Sequence, residues 1–520
     1  MDTKALRQKI LDLAIRGKLV PQDPNDEPAG VLLESIREQK QQMLKEGKLK
    51  KKDIKNDTII FKGEDNLHYE KFQDGTVKCI EDEIPFEVPE GWCWARVRDI
   101  AMVKGGKRLP KGASFSEEIT THAYIRVTDM KNHSVNISNL RYISDEIFSA
   151  IKNYTIAKDD LYVTIAGTIG VVGEIPDKLD GMNLTENAVK ITNIAINKSF
   201  LCIILQTDFV QQQFQDKTHQ VAMPKLALER ILSTLIPICP YVQQLQIVDR
   251  FQICDNFLST IDTEKEELQK IVSLSKYKIL DLAIRGKLVP QDPNDEPASV
   301  ILESIRIEKE ELIKQGKIKR DKKKSVIFKG DDNSYYEKIG NKVNCIDEEI
   351  PFELPEGWAF IRLKIAWELI SVRDLSPSEY NDKNDGIPYI TGASNFRNGH
   401  ISLVRWTTVP QVITRRGDLL LTCKGTIGEI AHNNFGEAHI ARQIMAIRNI
   451  YSLNVDFLAL CIEYSMTKIK QAAKGLIPGI SREDILNLVI PIPPIKEQEN
   501  ICNKLKVTFS AIEHIEKSLN

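Results

Sequence analysis

The chain has 520 residues, 42% hydrophobic and 28% charged, with a formal net charge of −2. That length exceeds what one core supports, so three or more structural units of ordinary globular composition are expected. No run approaches the ~18 to 20 apolar residues of a membrane span and no signal peptide opens the chain; the nine scattered cysteines form no CxxC pair, which argues for reduced thiols in a cytoplasm rather than disulfides or structural zinc.

In chain order, Leu6, Ile10 and Leu13 step by three and four along a helix that Gly17 terminates. LVPQDPNDEPA (19–29) is turn chemistry, with Asp26 or Glu27 near a helix start and Pro28 in the first turn. A second helix is predicted over about 29–46 on Val31, Leu32, Ile36 and Met43 or Leu44. Lysines then crowd 40–55, whereas 64–90 is acidic. PFEVPEGW (85–92) reads as a proline-punctuated edge leading into a strand, with its tryptophan buried, and LYVTIA (161–166) and AVKITNIAI (188–196) read as strands. Over 242–284, Leu245, Val248, Cys254, Phe257, Ile261, Leu268, Ile271 and Leu282 keep roughly helical spacing among charges. Helices of this pattern pack on one another, most simply as an antiparallel pair.

The sequence then repeats. KILDLAIRGKLVPQDPNDEPA (9–29) returns letter for letter at 278–298, FKGEDN (61–66) as FKGDDN (328–333), and EIPFEVPEGW (83–92) as EIPFELPEGW (349–358). DDLYVTIAGTIG (159–170) answers GDLLLTCKGTIG (417–428), and 241–265 answers 495–519. This is a tandem duplication of two long units. The frame is copied closely while 93–158 and 359–416 hardly resemble each other, which fits one platform carrying two different readers. Joining residue 520 to residue 1 would nearly recreate the central helical region, so the termini are expected near one another. The expected fold is α/β, with two globular α/β modules separated by two long-helix regions packed as an antiparallel coiled coil in a pseudo-two-fold, near-cyclic repeat. The expected boundaries are an N-terminal helical region 1–54, a first module 55–240, a central helical region 241–324, a second module 325–494 and a C-terminal helix 495–520.

PEGW before a short strand, GDLLLTCKGTIG, IPIPPIKEQENI and RGKLVPQDPNDEPA together resemble the specificity subunits of type I restriction-modification systems, over essentially the whole chain and in both halves. The resemblance implies that each module is a target-recognition domain entering the major groove at one half of a bipartite, asymmetric double-stranded DNA site. The helical regions would set the spacer and dock two methyltransferase subunits, and through them restriction subunits. It further implies no cofactor bound by this chain, with S-adenosylmethionine belonging to the methyltransferase partner and ATP and Mg to the restriction partner.

DNA contacts are expected in the divergent loops. In the first module Lys104, Lys107, Arg108 and Lys111 sit in a glycine loop suited to phosphates, and Arg126, Thr128, Asp129, Lys131 and Asn132 are types that read base edges. In the second, Arg373, Thr391, Ser394, Asn395, Arg397 and His400 take that part, joined by Thr168, Lys424, Thr426, Gln220, Lys225, Gln443 and Ser481 beside expected loops. The plainer reading of each is a solvated loop residue. GTIG (167–170 and 425–428) lacks the spacing of a nucleotide-binding loop and reads as a tight turn that lets backbone approach a phosphate or a neighbouring strand. The lysine runs 48–52 and 319–324 could touch DNA backbone, end a solvated helix or dock an acidic partner. No NPPY-like tetrapeptide and no catalytic or metal motif is present, so neither an enzyme nor a pure protein adaptor fits as well as a non-catalytic DNA reader.

Overall fold

A computed structural model describes residues 2–215, 226–318, 320, 325–371, 374–397, 399–451, 453–472 and 479–519. The chain forms two compact units, Met1–Glu264 and Lys265–Asn520.

In the first unit the opening helix runs Thr3–Ile15, capped by the Asp2 carboxylate, which accepts from the Ala5 amide. Gly17, at φ +63°, ends it as expected. The buried stripe, however, is Leu11, Ala14 and Ile15, while Leu6 is exposed. The helix is turned by one position because it packs on Lys198–Leu205, a helix whose last six residues are buried. The second helix, Ala29–Lys45, starts one residue after Pro28, which occupies the N-cap rather than the first turn. It buries Leu33 and Ile36 and leaves Val31 exposed.

The PEGW segment closes this corner. Trp92 is buried and its Nε1 donates to Gln22 Oε1 at 3.0 Å and Gln243 Oε1 at 2.9 Å. A Cβ on Gly17 would overlap Pro89, so this contact requires glycine on two counts, its φ and its closeness. The second unit repeats the corner. Gly286 lies against Pro355 and Trp358, whose Nε1 donates to Glu497 Oε2 at 2.9 Å.

Each unit holds two four-stranded sheets. In the first unit one is antiparallel, in the order Val172–Glu174, Leu161–Thr164, Ala188–Thr192, Met102–Gly105. The other runs Thr155–Ile156, Met182–Leu184, His122–Ile125, Arg141–Ile143, with a parallel pair that registers Asn183 on Tyr124. The second unit has the counterparts Trp367–Ile370, Ile444–Asn449, Leu419–Thr422, Ile430–His432 and Trp406–Thr407, Ile387–Ile390, Ala438–Ile440, Ile413–Thr414. Its parallel pair registers Tyr389 on His439. The expected strands over 161–166 and 188–196 are thus present as Leu161–Thr164 and Ala188–Thr192, each shortened at its C-terminal end. A three-stranded antiparallel sheet in each unit was not anticipated: Ile59–Lys62, His68–Lys71, Val77–Cys79 and Ser325–Lys329, Tyr335–Ile339, Lys342–Cys345.

One helix, Tyr241–Ile284, begins in the first unit and ends in the second. In the first unit Thr3 Oγ1 donates to Asp262 at 2.6 Å and Arg7 Nε to Asp255 at 2.5 Å. The partners descend as the opening helix ascends, so those two stretches run antiparallel. In the second unit Lys276 Nζ pairs with Glu516 at 2.7 Å, tying the long helix to Ile495–Leu519. Several apolar positions expected to pack do not. Leu245, Phe257, Leu268 and Ile271 are exposed, while Ile247, Leu258 and Val272 are buried. The helix therefore carries a second, exposed apolar stripe, with Leu245 and Phe257 in the first unit and Leu268 and Ile271 in the second.

Candidate nucleic-acid interface

Three backbone crossings gather the divergent loops of the first unit around one short connection, Thr185–Asn187. The Thr185 amide donates to the Ile125 carbonyl, the Ile165 amide to the Asn187 carbonyl, and the Lys107 amide to the Leu184 carbonyl. A Cβ on Gly106 would overlap the Thr185 carbonyl, so only glycine lets the basic loop come this close. The second unit repeats the pattern at Ala441–Gln443: the Ala441 amide donates to the Ile390 carbonyl and the Cys423 amide to the Gln443 carbonyl. Nothing in the sequence signalled this hub, because it exists only through the parallel strand pair.

On that shared geometry the charges are exchanged. Glu186 occupies the middle of the first hub and faces Arg108, with Nε to Oε1 at 3.7 Å. Arg442 occupies the middle of the second and pairs with Asp374 at 2.7 Å. Neither hub residue was among the expected contacts; aligning the two repeats at TEN and ARQ would have exposed the reversal. Tyr124 braces the first hub, its hydroxyl donating to the Lys107 carbonyl at 2.7 Å, and burial pushes its phenol up to about 12.

The expected contact residues divide by exposure. Lys104, Lys107, Arg108, Lys111, Thr128, Lys131, Asn132 and Thr168 are exposed in the first unit, as are Ser394, Arg397, His400, Lys424, Thr426, Gln443 and Ser481 in the second. Lys131 and Asn132 form the tip of the hairpin Met130–Lys131/Ser134–Val135, where Asn132 and His133 both take positive φ. Arg397 and His400 form the matching tip. The GTIG segments are tight turns, with Gly167, Gly170, Gly425 and Gly428 all left-handed and the Gly170 and Gly428 amides closing on Thr164 and Thr422.

Asp129 and Asn395, also expected as base contacts, are instead buried and bonded within their own turns. Asp129 is buried and accepts from the Arg126 amide, Nε and Nη2 at 2.9, 3.0 and 2.6 Å. Asn395 is buried and accepts from the Thr391 amide and hydroxyl, both at 3.0 Å, while donating to the Ser402 carbonyl. Both shape the turn that aims the hairpin, and they hold Arg126 and Thr391 against the scaffold. Ser481 caps Arg482–Leu486, accepting from the Asp484 amide. Gln220, Lys225 and Arg373, like most of 319–324, lie outside the described residues.

Among the described residues no group of three His, Cys, Asp or Glu could hold a metal ion, and no helix is long and apolar enough to cross a membrane.

The family model for the type I restriction modification DNA specificity domain matches residues 89–271 and 355–520, one copy in each half. The chain belongs to that family. This specificity subunit is similar to the type I restriction enzyme EcoAI specificity subunit of Escherichia coli, at 26% identity over 97% of this chain and 90% of the relative. It is also similar to the EcoEI specificity subunit of the same organism, at 24% identity over 99% and 90%. A chain from a solved type I restriction-modification system, described for complex assembly and conformational transition, shares the fold with TM-score 0.55 at 17% identity, over 84% of this chain and 94% of that one. The specificity subunit is therefore a DNA sequence-recognition protein.

Proposed function

We propose that each unit reads one half of a bipartite, asymmetric site in double-stranded DNA through the major groove, with the loops around Thr185–Asn187 and Ala441–Gln443 facing the bases. The observation that carries this is the exchange of Glu186 for Arg442 on matching backbone. A carboxylate accepts from the cytosine amino group and a guanidinium donates to guanine, so one scaffold presents opposite hydrogen-bonding faces. The exposed lysines around the first hub supply phosphate contacts that fix register. A duplicated single chain holds two readers at a spacing set by its helices without requiring a palindrome.

The chain itself performs no chemistry in this reading. The exposed apolar stripe of the long helix, at Leu245, Phe257, Leu268 and Ile271, supports docking of two methyltransferase subunits and, through them, restriction subunits. Adenine N6-methylation with S-adenosylmethionine, and ATP- and Mg-dependent cleavage, belong to those partners. The test is reconstitution: the chain with its cognate methyltransferase subunit, S-adenosylmethionine and genomic DNA, followed by mapping of methylated adenines. Methylation at one bipartite sequence is expected only with both proteins present. Methyl transfer by the isolated chain, or unspecific methylation by the pair, overturns the reading.

A further inference from the structure

The small three-stranded sheets have an outward face that water should not favour. In the first unit its side chains form two rows across the strands, Ile59–Lys71–Val77 and Phe61–Tyr69–Cys79. In the second the rows are Val326–Lys338–Val343 and Phe328–Tyr336–Cys345. Phe61, Val77, Phe328, Val326 and Val343 are each 41 to 51% exposed. Phe61 stacks on Tyr69 at 5.9 Å and Phe328 on Tyr336 at 5.9 Å. The opposite face is turned inward, with Glu70 paired to Arg96 and Glu337 to Arg362, both at 2.8 Å or less.

The outward rows differ between the units only at Ile59 and Val326, whereas the buried His68 of the inner face has become Tyr335. The exposed apolar face is thus at least as well preserved as the buried one, which fits one kind of partner for both units.

The charge of the sheets disfavours DNA as that partner. Residues 59–90 carry nine carboxylates against three lysines, and 325–356 eight against three. Asp65 and Asp332 stand at the rim, each 2.7 Å from the hydroxyl of Tyr69 or Tyr336. Phosphates would be repelled. An apolar centre with an acidic rim complements an apolar segment flanked by lysine or arginine.

We propose that these two sheets are a second pair of protein-docking surfaces, separate from the helix stripe, each taking an apolar, basic-flanked segment of one methyltransferase subunit, so that one chain holds two copies alike. This rests on the function proposed above for the choice of partner. Cys79 and Cys345 are exposed on this face and report on it directly. The full chain would be alkylated with N-ethylmaleimide alone, with the cognate methyltransferase subunit and with DNA alone, and each cysteine followed by peptide mass. Alkylation of both cysteines is expected to slow at least tenfold with the methyltransferase subunit and to be unchanged by DNA. Phe61→Lys with Val77→Lys should reduce the bound methyltransferase from two copies to one in native mass spectrometry, as should Phe328→Lys with Val343→Lys. Unaltered alkylation in a complex that does form overturns this inference and leaves the proposed function standing. Protection by DNA alone reassigns the face to DNA. A wild-type chain that binds no methyltransferase subunit defeats the proposed function first and this inference with it.

Discussion

Asp99 is buried beneath two amides, accepting from Thr58 N and Arg96 N at 2.8 Å each. Burial nevertheless outweighs those bonds and raises its carboxyl from the ordinary 3.8 to about 6. Folded protein therefore holds this proton more tightly than unfolded protein does between about pH 4 and 6. The first unit should gain stability as pH falls from 7 towards 5, by about 1 kcal/mol from this group alone, with the full effect of about 3 kcal/mol reached only below about pH 4. Hydrogen exchange of the whole chain, corrected for intrinsic rates, would show that gain in first-unit peptides, and Asp99→Asn should flatten it. A second contrast separates scaffold from reader. Asp129→Ala leaves a buried turn without its acceptor and should cost about 1 to 3 kcal/mol of stability while the recognised sequence stays the same. Arg442→Ala, on an exposed side chain, should leave the melting temperature within a degree or two and relax one base position in the second half-site, by about 1 to 3 kcal/mol of discrimination. Melting curves and methylation maps of the two variants decide both.

At the scale of elements, the hub depends on how closely the basic loop approaches the Thr185 carbonyl. Gly106→Ala puts a methyl group where that oxygen lies and should destabilise the first unit by about 2 kcal/mol or more. Binding to DNA carrying only the first half-site should weaken at least tenfold, with the second half-site bound as before; equal loss at both would show that the hub is not confined to one reader. Much of the element order was legible in advance. Periodicity marked Thr3–Ile15, Ala29–Lys45, Tyr241–Ile284 and Ile495–Leu519 because long helices declare themselves by spacing. The small sheets escaped because their polarity is inverted: the buried positions of His68–Lys71 are His68 and Glu70, while Phe61 and Val77 are exposed, so the usual apolar-inward alternation is missing from the sequence. The facing of helices was less legible than their existence, since Leu6 and Leu11 are equally apolar and only the packed helix Lys198–Leu205 chooses between them.

For the whole molecule, a net charge of −2 conceals an uneven distribution, and binding should follow the basic loops rather than the total. Replacing Lys104, Lys107, Lys111 and Lys131 together by glutamine should lower the slope of log affinity against log salt by about 3 to 4 while leaving the preferred sequence intact, as fluorescence titrations over a salt series would show. An unchanged slope would remove these lysines from the interface. The divergence between repeats points to the loops of the candidate site, but which of their side chains are exposed was not legible from it. Asp129 and Asn395 have the chemistry of base readers and are spent on turns, while Glu186 and Arg442 gain their position from a strand pairing that no local pattern encodes.

The corner where Gly17 meets Pro89 and Trp92 recurs where Gly286 meets Pro355 and Trp358, within stretches whose opening residues 9–29 and 278–298 are the same letter for letter. A genetic crossover inside that stretch would splice any reader to either frame with the joint already fitted. New target sequences can then arise by exchange of whole cassettes, in one step and without passing through a poorly packed intermediate.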